Sequence, residues 1–515
     1  MFQFRHKLKN SVVKLLVSVF LFAGFSTFDI KDASAVPSFA RKYDMSCNAC
    51  HTRQPRLNPY GQRFLENGYQ LPGTADGGRK EKHLFGGEVN GVTLDDISNL
   101  MAFRVRADVQ QASYEVEADT ESSSELDIVF PNVINMFVAG TITQDISFFG
   151  EVEYATREGH DPALRFERSF MAFDNIGGQQ VANVKVGVFD PSAMYSFPTH
   201  RQQINPIPPE AHTDKFPPEI NRMPLLPMAF SSKMFGMTRG ASYVGVETPG
   251  GTAKSSSDPD QIQDDFSILP FEPFLYNAPY QTGMSVHGRP FGNSFLYQVG
   301  VVQKKDATAE AKTRFDSYVM MRYDWLGEFS NFQVSGFYYS APKAAMPTVK
   351  MGGTLYYAND AIDWNRYGLA ARWQYKKWDI YGTVIWDETD LPDFSGKTAM
   401  QGGASTWNTS AMGISLEADY LLSEKWLIGA RYDQMDSAGL LRGSTMVAAW
   451  DRDMAQDASF LALVGKYYPK PNVGLYARYH HNLASSVKLP TALGGGEHPT
   501  TNLTSMIAVG VDMAF

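Results

Sequence analysis

Three observations predict an all-β fold, an antiparallel, porin-like transmembrane β-barrel of about sixteen strands behind a short N-terminal segment with chemistry of its own. From about residue 99 onward, apolar and polar residues alternate with period two in runs of about ten to thirteen residues. Short and long connections succeed one another between these runs. The last run keeps its alternation up to an aromatic, Phe515. In that run Leu503, Ser505, Ile507, Val509, Val511, Met513 and Phe515 share one face, and Thr504, Ala508, Gly510, Asp512 and Ala514 the other.

Taken from the N-terminus, residues 1–35 read as a secretory signal peptide. Arg5, Lys7, Lys9 and Lys14 precede the apolar stretch Leu15 to Phe25, and Ala33-Ser34-Ala35 offers a small-residue cleavage site. The whole chain carries a formal charge of -9. Loss of the leader, with its five basic and two acidic residues, leaves about -12, which argues against nucleic acid as a partner. No later stretch is long and apolar enough for a transmembrane helix.

Residues 36–83 form the segment with its own chemistry. Both cysteines of the chain fall in Cys47-Asn48-Ala49-Cys50-His51. C-x-x-C-H is the attachment signature of a c-type haem: two thiols add to the haem vinyl groups and the adjacent histidine meets the iron. Chance coincidence of two lone cysteines at this spacing with a following His is on the order of one in ten thousand. A redox dithiol would sit at the strand–helix junction of a βαβ unit, and a structural zinc site would want a second ligand pair. Neither context is present in the sequence. The residues therefore predict one covalently attached haem, with Cys47 and Cys50 binding the cofactor and His51 on the metal. No residue is singled out as distal ligand. His83 is nearest in sequence, Met45 has little freedom to reach the opposite face, and His160, His200 and His212 fall in expected outer loops.

Residues 84–98 read as linker or plug, and 99–515 as the barrel. Charge on the second face marks a polar lumen. Arg104, Arg106 and Asp108 alternate with Phe103, Val105, Ala107 and Val109; Asp316, Arg322 and Asp324 alternate with Phe315, Met321, Tyr323 and Trp325; Glu417 and Asp419 alternate with Leu416, Ala418 and Tyr420. Aromatics follow arginines at Arg322-Tyr323, Arg372-Trp373, Arg431-Tyr432 and Arg478-Tyr479, as interfacial girdles require. Short turns are expected at Thr143–Asp145, Gly177–Gln180, Phe291–Gly292, Leu326–Ser330, Lys376–Lys377, Leu422–Glu424 and Tyr468–Asn472. Long connections are expected near 305–314, 342–363, 389–410, 436–457 and 483–502, and Gly494-Gly495-Gly496 reads as a loop tip. With short turns on the periplasmic side, parity makes the proline-rich stretch 190–279 a single outer connection, which either folds back to narrow the lumen or caps the surface.

Val36-Pro37-Ser38-Phe39-Ala40-Arg41, Cys47–His51, and Leu57-Asn58-Pro59-Tyr60-Gly61-Gln62-Arg63-Phe64 with Gly68-Tyr69 resemble the N-terminal block of the fused monohaem cytochrome–porins. These are outer-membrane proteins implicated in iron(II) oxidation by iron-oxidising bacteria. The chain departs from that pattern at Lys42-Tyr43-Asp44, where a Gln-Thr-Gly-like step is commoner. The resemblance implies a bacterial outer-membrane protein in contact with lipid, its haem segment on the periplasmic side or in the lumen. It further implies an iron(II):cytochrome oxidoreductase, with extracellular Fe(II) or another redox species as one partner and a periplasmic c-type cytochrome as the other. Lumen carboxylates Asp108, Glu151, Glu153, Glu417 and Asp419 are candidates to hold a hard cation in transit. Two other readings share these residues: electron export to an extracellular acceptor, and a substrate-specific porin with a haem plug.

Overall fold

The computed structural model describes residues 38–71, 97–116, 122–191 and 281–515, less 144, 158–159, 179, 293, 304–314, 343–347, 352–353, 358–363, 392–406, 438–457 and 486–500. The leader 1–35, His83, His200, His212, residues 84–96, the stretch 192–280 and Gly494–Gly496 lie outside the described residues.

Sixteen strands close into one antiparallel barrel. In chain order they are β3 (Met101–Val116), β4 (Ser122–Thr143), β5 (Ile146–Arg157), β6 (His160–Ile176), β7 (Ala182–Phe189), β8 (Gln281–Gly288), β9 (Phe295–Gln303), β10 (Phe315–Leu326) and β11 (Ser330–Ala341). Then follow β14 (Trp364–Tyr375), β15 (Trp378–Leu391), β16 (Trp407–Leu421), β17 (Trp426–Ser437), β18 (Ala458–Lys470), β19 (Val473–Ser485) and β20 (Thr501–Ala514). Neighbours in sequence are neighbours in the sheet, and β20 pairs with β3 to complete the ring. The seam is finished by the last residue. The Phe515 N–H donates to the Phe103 carbonyl at 2.8 Å, the Phe103 N–H donates back at 2.7 Å, and the two rings stack 5.7 Å apart.

Barrel strands run from 8 to 22 residues where ten to thirteen are expected, and two departures stand out. The connection 342–363 carries its own hairpin, β12 (Thr348–Met351) with β13 (Thr354–Tyr357), separate from the barrel. Runs of four residues are too short for period two to show, although Gly352-Gly353 between them is hairpin chemistry. Second, β4 runs for 22 residues instead of the expected ten to thirteen. Pro131 interrupts its pattern, but the β3–β4 register simply shifts between Arg106 and Asp108 and the ladder continues to Glu115 opposite Ser122.

The alternation sorts inside from outside as expected. On β10, Asp316, Arg322 and Asp324 are buried toward the lumen, and Phe315, Met321, Tyr323 and Trp325 are exposed on the outer wall. Arg372, Arg431 and Arg478 are likewise buried beside outward Trp373 and Tyr479. Near the short turns the outer wall carries paired aromatics, Trp378 with Tyr420 at 4.7 Å and Trp426 with Tyr467 at 4.8 Å. Large apolar side chains exposed all round a closed sheet form a belt that lipid covers. No described helix is long and apolar enough to cross a membrane; the chain crosses with strands.

Before β3 come α1 (Ser38–Tyr43), a 3-10 turn (Cys47–Ala49), the miniature hairpin β1 (His51–Arg53) with β2 (Arg56–Leu57), α2 (Pro59–Glu66) and, after residues not described, α3 (Ile97–Leu100). Arg41 on α1 donates to the carbonyls of Ser98 at 2.8 Å and Met101 at 2.6 Å, tying this segment to the start of the barrel wall.

Leu369 lies midway along β14 and is 55 % exposed on the outer wall. Leu369→Arg is expected to cost about 2–4 kcal/mol, read as a shifted urea midpoint for folding into lipid vesicles.

Candidate functional site

The C-x-x-C-H stretch is held as a preformed turn. Ser46 Oγ accepts from the Asn48 N–H at 3.4 Å, and the Cys50 N–H donates to the Cys47 carbonyl at 3.2 Å. That single helical turn brings residues i and i+3 to the same side, so the two thiols stand together. Both are free thiols and partly exposed. Burial pushes both up, Cys50 to about 11 with the neighbouring Cys47 adding to it. A reactive redox dithiol needs a lowered thiol pKa; these have the opposite.

His51 Nδ1 lies 3.1 Å from the Pro55 carbonyl. A carbonyl only accepts, so Nδ1 carries the proton and the lone pair is on Nε2, the atom a metal takes. Asn58 fixes the rest. Its N–H donates to the Cys50 carbonyl at 2.9 Å, its Nδ2 to the Ala49 carbonyl at 2.9 Å, and its Oδ1 accepts from the Gly61 N–H at 2.9 Å as the N-cap of α2. Pro59 follows at the first helical position. Gly61 is required by close approach: a Cβ there would fall 2.1 Å from the Cys50 carbonyl oxygen. Two adjacent thiols, an oriented histidine and a rigid turn are the donor set that a covalent haem requires.

Arg56 to Tyr69 is thus the frame of this turn and its anchor to the barrel, neither of which periodicity could reveal. Two oppositely charged side chains do most of the anchoring. Arg56, fully buried, meets Asp419 at 2.9 Å, Asp379 at 3.7 Å and Glu417. Glu66 meets Arg289 at 2.8 Å and Arg322, and both arginines also hold Asp324. Burial pushes the Glu66 carboxyl up, but the guanidiniums of Arg289 and Arg322 outweigh it and hold it below the usual carboxylate range. Between them Gln62 and Gln333 exchange hydrogen bonds at 3.1 and 2.6 Å, and Arg372 donates to the Leu57 carbonyl at 2.9 Å. On the far side Tyr69 stacks on Phe149 of β5 at 5.3 Å. Asp379, Asp419, Asp324 and Gln333 all lie near strand ends at short turns. Residues 38–71 therefore fill the short-turn mouth of the barrel.

The lumen carboxylates do not stand open to a passing cation: Glu417 and Asp419 hold Arg56, Glu151 holds Arg168, and Asp108 accepts from Tyr476 Oη at 2.5 Å with Arg478 at 3.4 Å. Glu153 accepts from Asn135 at 3.3 Å. Four of these five acids have an arginine as partner, and sequence alternation alone cannot show that pairing. Among the described residues no group of three or more His, Cys, Asp or Glu is arranged to hold a metal ion. Of the histidines weighed from sequence, His160 is the first residue of β6 and pairs with Arg157 at the end of β5, so it lies in a strand and not in the expected outer loop. His287, unremarked in the sequence, is buried against the segment with Nε2 2.9 Å from the Glu66 carbonyl.

Comparison with known proteins adds the following. No protein-family model and no curated protein matches the chain. Among solved structures it is similar to a loop-deletion form of OmpT from Vibrio cholerae (8 % identity, 81 % of this chain and 98 % of that one, TM-score 0.43). It is also similar to an anion-selective porin from Comamonas acidovorans (12 %, 81 % and 99 %, 0.43) and to Salmonella typhi OmpF in complex with daunomycin (13 %, 82 % and 98 %, 0.42). The chain is a porin-like outer-membrane β-barrel. What makes it one is its own closed ring of strands and its lipid-facing belt.

Arg56→Gln leaves Asp419 facing Asp379 and Glu417 without its cation. It is expected to weaken seating of residues 38–71 by about 3 kcal/mol, read as faster amide exchange across α2 with the barrel unchanged. Because the Glu66 pKa is lowered on docking, its contribution is fully present above the ordinary value of 4.5 and is lost as pH falls through the lowered one. Exchange across α2 should rise steeply with acidification below pH 4.5, and less steeply in Glu66→Gln.

Proposed function

We propose that this chain is an outer-membrane electron-transfer protein, an iron(II):cytochrome oxidoreductase. In this reading Cys47, Cys50 and His51 carry one c-type haem, extracellular Fe(II) gives up one electron to become Fe(III), and a periplasmic c-type cytochrome receives that electron. The observation that supports it is the preformed C-x-x-C-H turn, with His51 oriented by the Pro55 carbonyl, seated in the mouth of a membrane barrel.

When bound, the haem supplies a one-electron couple. The chain's own residues hold and orient it. Cys47 and Cys50 provide the covalent links, and His51 offers Nε2. Asn58 and Gly61 keep the turn from opening, so little reorganisation accompanies electron transfer. Arg56 and Glu66 fix the segment to the wall, and Tyr69 stacked on Phe149 closes its other flank. The short-turn mouth is the periplasmic one by the usual asymmetry of such barrels, which favours delivery to a periplasmic carrier. Fe(II) as donor is supported by the resemblance of the N-terminal block. With the described lumen carboxylates engaged by arginines and amides, the ion is a diffusing substrate and not a resident of the wall.

Stopped-flow mixing of the oxidised holoprotein with Fe(II) is expected to give the reduced haem spectrum, and Cys47→Ala to lose covalent haem on a haem-stained gel. A haem that stays oxidised for minutes removes Fe(II) as the donor; a haem-free wild-type protein removes the electron-transfer reading altogether.

A further inference from the structure

Residues 52, 53 and 54, directly after the histidine, each touch a different hairpin. Thr52 Oγ1 accepts from Gln374 at 3.2 Å beside the β14–β15 turn. Arg53 donates to the Glu424 carbonyl at 2.5 Å in the β16–β17 turn. The Gln54 carbonyl accepts from Tyr468 Oη at 2.8 Å beside the β18–β19 turn. The C-x-x-C-H turn is thereby pinned to one arc of the short-turn rim, with Ser46 and Asn48 of the turn exposed.

That arc is basic. Its hairpins carry Lys376 and Lys377, then Lys425, then Lys470, with Arg53 beside them; Lys376, Lys377 and Lys425 are exposed. Lys376 lies over the Tyr375 ring at 5.0 Å, and Lys377 donates to the Leu422 carbonyl at 3.2 Å, so both are steadied at the surface. Among the described residues of these three hairpin turns Glu424 is the exposed acid, set against Lys376, Lys377, Lys425, Lys470 and the neighbouring Arg53. The remaining described short turns differ: Asp145 (β4–β5) and Glu328 (β10–β11) are exposed acids, and Gly177, Gly178 and Gln180 (β6–β7) are uncharged, as are Pro290, Phe291 and Gly292 after the buried Arg289. A positive arc on a chain of net charge -9, placed where the haem-attachment turn meets the surface, is a steering field for a negatively charged protein.

We infer that the Lys376–Lys377, Lys425 and Lys470 arc is the docking surface for a soluble redox protein with an acidic face around its own redox centre. The inference rests on the electron-transfer reading above and adds to it the site and the charge of the partner. Docking there brings the partner's centre to the edge of the barrel where residues 46–54 emerge.

The test uses full-length holoprotein in lipid nanodiscs and two probes of identical fold and opposite charge: mitochondrial cytochrome c and its succinylated form. Binding is read by interferometry at low and high salt. The succinylated probe is expected to bind at least about tenfold more tightly at low salt, with the advantage lost at high salt. K376Q/K377Q/K425Q should remove about tenfold of that binding while haem content and amide exchange across α2 stay as in the wild type. Equal binding of the two probes, or a triple variant that binds like wild type, overturns the inference. So does a variant whose only change is in association with phosphatidylglycerol vesicles, which makes the lysines lipid anchors. Reduction of acidic plastocyanin, followed at its copper band, is expected to slow in parallel. Binding needs no haem, so tight charge-dependent binding without electron transfer supports the surface and counts against the function.

Discussion

Closure of the backbone is the constraint from which the rest follows. Inside a bilayer an unpaired N–H or C=O has no water to turn to, so a sheet can cross only if its first and last strands meet. Here they meet through the β3–β20 ladder, finished by the reciprocal bonds of Phe103 and Phe515. Once the ring is closed, every strand has one face in lipid and one in the lumen. The alternation of Met321 and Tyr323 with Arg322 and Asp324 is then the only arrangement that satisfies both solvents.

A polar lumen creates the second problem, because charges crowded on an inner wall need partners. Some are found across neighbouring strands, as Arg372 finds Asp379 at 2.5 Å and Arg104 finds Asp512 at 2.5 Å. Others are completed by residues 38–71, which supply a cation to the acids of β15 and β16 and an anion to Arg322 of β10 and to Arg289, just past the end of β8. A segment of this length has too little apolar surface to build an independent core. Its own aromatics, Phe39, Tyr43, Phe64 and Tyr69, cluster at centroid distances of 5.0 to 6.3 Å and then continue onto Phe149 of the wall. The wall serves as the missing half of its core.

The barrel was largely legible in the sequence, because the period-two signal repeats on every strand and the short turns announce themselves with residues such as Gly177-Gly178 and Lys376-Lys377. Parity of short and long connections yielded the strand number. What periodicity missed is physical as well: Pro131 disguises the length of β4, and four-residue strands such as β12 carry no period. At the site, the C-x-x-C-H spacing pointed to the thiols and His51. It could not reveal that Asn58 bonds three ways to the turn, or that Gly61 must lack a Cβ, since those roles depend on α2 folding back against Cys50. Least legible were Arg56 and Glu66, whose partners lie hundreds of residues away, and the arginine partners of the lumen acids.

The opposite signs of Arg56 and Glu66 have a geometric consequence. A plug with one kind of charge would sit in a ring of the other kind at any rotation. With a cation aimed at the acids of β15 and β16 and an anion aimed at Arg322 of β10 and Arg289 just past β8, the segment is keyed like a two-pin connector. Turned away from this azimuth, the segment would leave both charges buried without their partners, where an uncompensated charge is most unfavourable. The azimuth of His51 is therefore set by the wall, and whatever that histidine holds faces the same sector of the rim in every molecule.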